Sequence, residues 1–424
     1  MSIMSLNGDC QRGIFKFFEV NDLCRSAQVS KEFYQISKDE LLWKDHLEKQ
    51  RPLLSKIYRS EMEKMSSREA YASLYTLEKN NWATKRFTKR SLYHPDANLP
   101  RAIFSNENVY WRVLATPSLI HVQDKKDRSF SQIKINLGGV AVTTLADDYF
   151  AFSNDRGDFS LCNLQKKTAL DLGHLSGDWK AVCIKIVKEI LCMGTVSGRI
   201  VFSNIRDQNT TMAISDAHKY KVNVIQPSVN GHRVFSGSDD ATIISWDIDQ
   251  STKISQFAKH RFPVVSLTSL DENCFASGSV DDTIKIWDER SPSSSITLYG
   301  HEGTVDHLIF NGDDLISGGS DRTVRLWDLR KGESQILIRD QERITCLHSD
   351  SQKVVAGSYN GNLHVASPQF KFPTYKIDER MVTTTGLSAD AKTVTALFSD
   401  GELMKYDFSA EQGLCRFFSS EDNL

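Results

Sequence analysis

The stretch GSVDDTIKIWD, residues 278–288, decides the fold because it recurs along the chain at a nearly constant interval. Close copies occupy residues 237–247 and 318–328, and the tryptophans Trp246, Trp287 and Trp327 are separated by 41 and 40 residues. Each copy joins a turn signal, Gly-Ser-x-Asp in the first two and Gly-Gly-Ser-Asp in the third, to a short run rich in β-branched residues, which is typical of a strand. A period of about 40 residues predicts an array of short β-sheets.

Weaker copies keep the apolar residues of this stretch and lose the tryptophan. Steps of 39 to 43 residues place other residues at the tryptophan position: Ala366 and Tyr406 towards the carboxyl end, and Ser203, Cys162 and Gln123 towards the amino end. Eight such positions predict eight repeat units. A count of seven units is the alternative, because the unit around Gln123 carries few residues of the repeat.

The three close copies resemble the WD-repeat family, and in register the resemblance extends over residues 85–424. It implies an all-β propeller with one four-stranded blade per repeat, most simply eight blades. In this family an amino-terminal strand usually completes the last blade, and Arg86–Leu92 is the candidate here. Gly413–Phe418 is a competing candidate for the same place.

The first 84 residues have a different, helical pattern. Ile14, Phe17 and Phe18 fall on one face of a helix, and capping boxes occur at 37–40 and 66–69. These signals predict a small all-α domain at 1–48 and linker helices at 49–84, ahead of the propeller at 85–424.

Residues 14–44 resemble an F-box in the order of their motifs. An apolar helix is followed by Asp22-Leu23, by Val29-Ser30-Lys31 and by a closing Leu42-Trp43, although Gly8-Asp9-Cys10 stands where F-boxes usually carry Leu-Pro. The resemblance implies docking on a Skp-type adaptor and, through it, on a cullin–RING ubiquitin ligase. The adaptor-binding residues that it implies are Ile14, Phe15, Phe18, Leu23, Val29 and Trp43.

Composition excludes several classes of function. The 52 Lys and Arg against 54 Asp and Glu give a net charge of −2, which argues against a generic binder of nucleic-acid backbones. The basic run at 85–90 falls on the closing-strand candidate, where a solvated face is the simpler interpretation. No apolar run approaches the roughly 20 residues of a membrane span, and the eight cysteines lack metal-binding spacing. We therefore expect a cytoplasmic or nuclear protein without disulfides, metal or cofactor.

The repeat also contains Ser, His and Asp, which together suggest a nucleophilic triad. His260, Ser277 and Asp281 recur at the repeat period, however, whereas an enzyme needs one such set in one pocket. We interpret the set as a buried hydrogen-bond chain that Trp287 completes. Sheets that lack the full set, with Asp178, Asp340 or Asp378 at the His position, are expected to be softer.

A partner-binding rim is predicted from the same register. The loops before each first strand and the residue two after the Gly of the Gly-Ser turn should share one face of the propeller. The candidate substrate-binding residues are Trp179, Lys180, Tyr220, Lys221, Arg261, Phe262, Arg343, Tyr359 and Arg380. Cations interleaved with aromatics suit an acidic or phosphorylated protein segment.

The two resemblances together imply the substrate-recognition subunit of a Skp–cullin–F-box ubiquitin ligase. Such a chain would perform no chemistry and would hold a protein substrate near an enzyme bound elsewhere. Two alternatives stay open: a WD-repeat scaffold in an assembly unrelated to ubiquitin, and an enzyme with its active site in the central channel.

Overall fold

The computed structural model describes residues 88–408, with gaps at 94–101, 106–110, 116–118, 125–129, 135–141, 147, 155, 175–179, 206–210, 215–216, 259, 313, 351–352, 370–372 and 390–392. The helices predicted at 1–48 and 49–84, and the strand candidate Gly413–Phe418, lie outside the described residues. No helix among the described residues is long and apolar enough to cross a membrane.

Thirty-two strands pair into eight four-stranded sheets. The first strands of the sheets are β2 (Ala102–Ser105), β6 (Val142–Ala146), β10 (Ala181–Val187), β14 (Val222–Pro227), β18 (Val264–Ser269), β22 (His307–Phe310), β26 (Ile344–Ser349) and β30 (Thr384–Ala389). The second strands are β3 (Trp111–Ala115), β7 (Tyr149–Ser153), β11 (Ile190–Thr195), β15 (Arg233–Ser238), β19 (Cys274–Ser279), β23 (Leu315–Gly318), β27 (Val354–Ser358) and β31 (Thr393–Phe398). The third strands are β4 (Leu119–Asp124), β8 (Asp158–Asn163), β12 (Ile200–Asn204), β16 (Ile243–Asp247), β20 (Ile284–Asp288), β24 (Thr323–Asp328), β28 (Leu363–Ala366) and β32 (Leu403–Asp407). The fourth strands are β5 (Phe130–Lys134), β9 (Thr168–His174), β13 (Thr211–Ile214), β17 (Thr252–Phe257), β21 (Ser291–Leu298), β25 (Glu333–Arg339), β29 (Tyr375–Asp378) and, for the last sheet, β1 (Thr88–Tyr93).

The last sheet is completed from the other end of the described chain. Its strand order is β1–β32–β31–β30, so β1 takes the fourth place that a later strand holds in every other sheet. The predicted closing segment Arg86–Leu92 thus corresponds to β1, and Lys89 Nζ lies 2.7 Å from Asp378 Oδ2 at the end of β29. Lys89, which belongs to the basic run at 85–90, forms this ion pair with Asp378.

The first strands of successive sheets contact one another in chain order, and β30 contacts β2. Side chains near the start of these strands bond across to the next sheet. Asn223 Nδ2 donates to the Val264 carbonyl at 3.0 Å, Ser266 Oγ to the Val305 carbonyl at 2.7 Å, and Thr345 Oγ1 to the Thr384 carbonyl at 2.6 Å. The predicted all-β propeller is confirmed by this arrangement.

The apolar core is divided among the spaces between neighbouring sheets. Phe235 of β15 stacks on Phe275 of β19 with ring centroids 4.1 Å apart, and Trp287 of β20 is fully buried beside them. Because each sheet packs only on its neighbours, the fold is built from local interfaces, as expected of a repeat protein. The described cysteines are free thiols, and burial raises the pKa of Cys162 to about 12.

The turn between the second and third strands has one left-handed residue. Gly361 (φ 81°) takes this place before β28, while Ala241 (φ 62°) and Asp282 (φ 64°) take it before β16 and β20. A Cβ on Gly361 would lie 2.3 Å from the Val382 carbonyl oxygen. Gly198 (φ 87°) and Gly401 (φ 84°) hold the same place in two further sheets, so this left-handed position takes glycine in some sheets and other residues in the rest.

Candidate protein-interaction face

Three sheets share one buried polar set. In the sheet of β18–β21, Trp287 Nε1 donates to Ser277 Oγ at 2.7 Å, and His260 Nε2 lies 2.7 Å from the same oxygen. His260 Nδ1 lies 2.9 Å from Asp281 Oδ2. The same contacts join His218 to Ser236, Asp240 and Trp246, and His301 to Ser317, Asp321 and Trp327. The three serines are fully buried, so the hydrogen-bond chain predicted from the sequence is confirmed and none of these serines can reach a substrate.

The aspartates of these sets are ionised in the folded protein. Burial alone would raise the pKa of Asp281, but hydrogen bonds from His260, Thr283 and the Arg261 amide hold it well below its ordinary value. The pKa values of Asp240 and Asp321 are lowered in the same way. The charge is thus part of the folded structure rather than a reactive group.

The sheet of β26–β29 builds a different polar set. Asp340 stands where the other sheets have His, and His364 Nε2 lies 2.6 Å from Asp340 Oδ2. Asn362 Nδ2 donates to Asp340 Oδ1 at 3.0 Å. His364 lies opposite Ala356 in the register, as Lys285 lies opposite Ser277. Asn360 holds the place of the turn aspartate, so the imidazole comes from the third strand and replaces contacts that the sequence pattern predicted to be absent.

In the last sheet the position of the His is taken by Arg380. Its carbonyl oxygen would lie 2.5 Å from a Cβ on Gly361, as the His218 carbonyl would lie 2.4 Å from one on Gly198. The prediction that Asp378 holds this place is therefore wrong by two residues. The Arg380 guanidinium pairs with Glu402 and with Asp378, and lies 4.7 Å from the ring centroid of Phe398. The Arg380 charge is therefore paired with acidic residues of this chain, whereas we predicted that it would bind a partner.

A second repeating contact defines a common face. In six sheets the amide of the turn between the second and third strands donates to the carbonyl of the loop before the first strand. The pairs are Val196–Lys180 at 3.0 Å, Asp239–Lys221 at 2.9 Å, Val280–Pro263 at 3.0 Å, Ser320–Thr304 at 3.0 Å, Tyr359–Arg343 at 3.0 Å and Ser399–Thr383 at 2.8 Å. We call the surface made by these loops and turns the loop face.

Most of the predicted rim residues lie on the loop face. Tyr220, Phe262 and Tyr359 expose 54%, 56% and 50% of their surface. Lys180, Arg261 and Arg343 are also exposed, while Lys221 is half-buried. Trp179 lies outside the described residues, as do all the predicted adaptor-binding residues: Ile14, Phe15, Phe18, Leu23, Val29 and Trp43.

The two arginines that remain are available to a partner. Within the described part of the chain, Arg261 makes no ion pair through its side chain, and the Arg343 guanidinium lies 5.0 Å from the ring centroid of Tyr359. Acidic residues share the face, however: Glu302 and Glu342 are exposed in neighbouring loops. The loop face therefore alternates in charge instead of being uniformly cationic.

Three apolar residues of the loop face were missed from the sequence. Val196 and Val280 expose 46% and 38% of their surface, and Met381 is completely exposed. The two valines hold the turn position that gave Tyr359, so counting two residues from Gly194 and Gly278 would have found them. Met381 was hidden by the register error at Arg380.

Comparison with known proteins identifies two kinds of segment in the chain. An F-box-like model matches residues 12–49, and the model of the WD domain, G-beta repeat, matches residues 209–247, 251–288 and 292–328. The chain carries an F-box-like segment followed by WD repeats. The three matched repeats are the ones that contain the complete buried polar sets. The remaining four-stranded sheets are recognised from the strand pairing in the structure.

Its relatives are similar mainly over part of their length. The U3 small nucleolar RNA-associated protein 15 homolog of Xenopus laevis is 24% identical over 62% of this chain and 50% of its own length. WD repeat-containing protein 55 of Danio rerio is 28% identical over 28% of this chain and 32% of its own. The chain thus spans half or less of these curated relatives. The computationally designed Ika8 protein superposes on the chain with a TM-score of 0.65 and 21% identity. The superposition covers 73% of this chain and 96% of the Ika8 chain, and at this identity it shows the fold alone.

Proposed function

We propose that this chain is a protein-binding WD-repeat scaffold that performs no chemistry and holds its partner on the loop face. The observation that carries the proposal is the group of exposed aromatics and unpaired arginines there, since such residues dominate binding energy at protein interfaces. The relatives named above support the scaffold, because the first of them is named as an RNA-associated protein. By the same argument we propose a nuclear location.

The recognised segment is proposed to contain acidic or phosphorylated residues. Arg261 and Arg343 each present a guanidinium that can bind a carboxylate or phosphate through two hydrogen bonds. Tyr359 under Arg343 fixes the direction of that guanidinium, which lowers the entropy lost on binding. Phe262 beside Arg261 offers an apolar surface to the same segment.

We infer further that the eight sheets are eight blades of one ring. The contacts between successive first strands, which return from β30 to β2, support this count. A ring of this kind brings all the loops before the first strands to one side, which is what a single binding face needs.

A second candidate function is the substrate-recognition subunit of a Skp–cullin–F-box ubiquitin ligase. The observation that favours it is the F-box-like match at 12–49. In this case Leu23 and Trp43 would dock on a Skp-type adaptor, and the propeller would present a substrate to an enzyme bound to the ligase.

Affinity purification of the full chain separates the two candidates. The wild type is compared with Leu23→Asp, which would bury an unpaired charge in the adaptor interface, with and without proteasome inhibition. A scaffold retains its partners in Leu23→Asp, and their amounts do not respond to the inhibitor. Recovery of a Skp-type adaptor by the wild type alone, with a partner that accumulates under inhibition, would instead establish the ligase.

A further inference from the structure

Asp306 differs from the polar residues that hold its place in two other sheets. It follows Val305 at the start of its sheet, as Asn223 follows Val222 and Thr345 follows Ile344. Asn223 and Thr345 donate hydrogen bonds to the first carbonyl of the next sheet. An ionised carboxylate has no proton to donate, so Asp306 cannot form this bond with the Ile344 carbonyl.

Asp306 has no hydrogen bond or ion pair within the described part of the chain, although it is half-buried. Burial raises its pKa, an effect that Arg343 and His301 oppose and that Asp321 strengthens. Arg343 lies over the Tyr359 ring instead of forming an ion pair with Asp306. The half-buried carboxylate is therefore left without a direct partner, which costs stability.

The neighbouring His307 does not supply the missing charge. Burial lowers the pKa of His307 to about 4, although hydrogen bonds with the backbone of Thr345 and Ile344 oppose that shift. The imidazole is thus neutral near pH 7 and is directed at the backbone. Nothing in the described surroundings of Asp306 pairs with its charge.

The sheet that carries Asp306 also presents the smallest residues of this part of the loop face. Gly303, Thr304 and Ser320 stand where the preceding sheet has Phe262, Pro263 and Val280. We infer that these small residues obstruct the approach of a partner's side chain to Asp306 less than Phe262 and Val280 would.

We propose that Asp306 is a subsite for a Lys or Arg side chain of the bound partner, next to an acidic group that Arg343 binds. This inference rests on the proposed function and refines it: the recognised segment carries a cation and an anion close together. A carboxylate kept at a cost in stability is typical of a binding site. The opposite charges of Asp306 and Arg343 also fix the direction in which the segment binds.

The test uses a peptide array probed with the purified full chain. The peptides combine fixed Lys, Arg, Asp, Glu, phosphoserine or Ala at pairs of positions within random flanks. The tightest peptide and its Lys→Gln or Arg→Gln derivative are then measured by fluorescence anisotropy. The proteins compared are the wild type, Asp306→Asn, Asp282→Asn as an exposed acid on the adjacent sheet, and Arg261→Ala/Arg343→Ala.

The wild type and Asp282→Asn should select peptides with Lys or Arg within a few residues of an acid. Loss of the peptide cation should weaken their binding by about tenfold, the effect of a partly desolvated charge pair. Asp306→Asn should bind the original peptide and its derivative equally. Its melting temperature should rise, because the neutral isostere removes the desolvated charge.

Selection of acidic peptides without a cation preference would overturn the subsite and leave the proposed function standing. An equal loss in Asp306→Asn and wild type when the peptide cation is removed would do the same. If no peptide binds, or binding is unchanged in Arg261→Ala/Arg343→Ala, the proposed function fails with it.

Discussion

Ser277 shows how a single hydroxyl organises a sheet. It accepts a hydrogen bond from Trp287 Nε1, and its own proton can then go to His260 Nε2. Ser277→Ala would leave a buried indole N–H without a partner, which typically costs about 1–3 kcal/mol. We expect the free energy of unfolding, measured with urea, to fall by that amount.

Thr252→Ala is the matched control for this change, since Thr252 is exposed at the start of β17. Its unfolding free energy should stay within about 0.5 kcal/mol of the wild type. Equal stability of Ser277→Ala and Thr252→Ala would show that the buried polar set does not stabilise its sheet.

The buried aspartates make stability depend on pH. The pKa of Asp281 is lowered in the folded protein, so its contribution is present above the unfolded pKa of about 3.9 and is lost as pH falls towards the folded value. We expect the unfolding free energy to decrease as the pH falls below about 4. Asp281→Asn should be less stable at pH 7 and show a shallower decrease in urea titrations at several pH values. An identical slope in both proteins would contradict the assignment.

At the scale of elements, the turn before the third strand links backbone geometry to sheet packing. Gly361→Ala would combine left-handed strain of about 1–2 kcal/mol with a Cβ 2.3 Å from the Val382 carbonyl oxygen. We expect a loss of at least about 2 kcal/mol in the unfolding free energy. Ala241→Gly, at the equivalent turn, should leave stability unchanged or raise it slightly, because glycine accepts φ 62° without strain. Equal unfolding free energies for the two variants would show that neither the left-handed backbone nor the close carbonyl contact limits the residue at Gly361.

Much of the element level could be predicted from the sequence, because one repeat fixes both the strands and their contacts. The Trp287 set followed from it, whereas the closing strand β1 was implied by the family resemblance, with Gly413–Phe418 as a competing candidate. The contact between Asp340 and His364 did not, because His364 lies in the third strand at a position where none of the three complete sets has a member. The position of Arg380 was predictable by counting, because it follows Ala366 by 14 residues, as His260 follows Trp246 and His301 follows Trp287. The prediction of Asp378 used a spacing two residues too short.

The sequence predicted several of the residues that lie on the loop face, but it did not predict which of their charges are paired. The register placed Arg261, Arg343 and Tyr359 on one side, which their backbone contacts and exposure support. Whether a cation is available depends on three-dimensional neighbours, however: Arg380 is paired with Glu402, and Arg343 is not paired with Asp306. A charge pattern in a sequence cannot distinguish these cases.

For the molecule as a whole, the central claim is that the loop face binds a protein partner. Antiparallel strands place the turns between the third and fourth strands at the opposite end of each sheet. Lys166 and Lys331 lie in such turns and are exposed. Lys166→Ala/Lys331→Ala therefore removes the same charge as Arg261→Ala/Arg343→Ala from outside the loop face, and serves as its matched control.

The most direct measurement is quantitative affinity purification with these two variants and the wild type, each as the full chain, at low and moderate salt. We predict that Arg261→Ala/Arg343→Ala loses most of the partner that the control variant retains, with unchanged melting temperatures. Lowering the salt should strengthen wild-type binding more than binding by the loop-face variant, since screening acts on the removed charges. Equal partner recovery by all three proteins, with the same salt dependence, would contradict the claim.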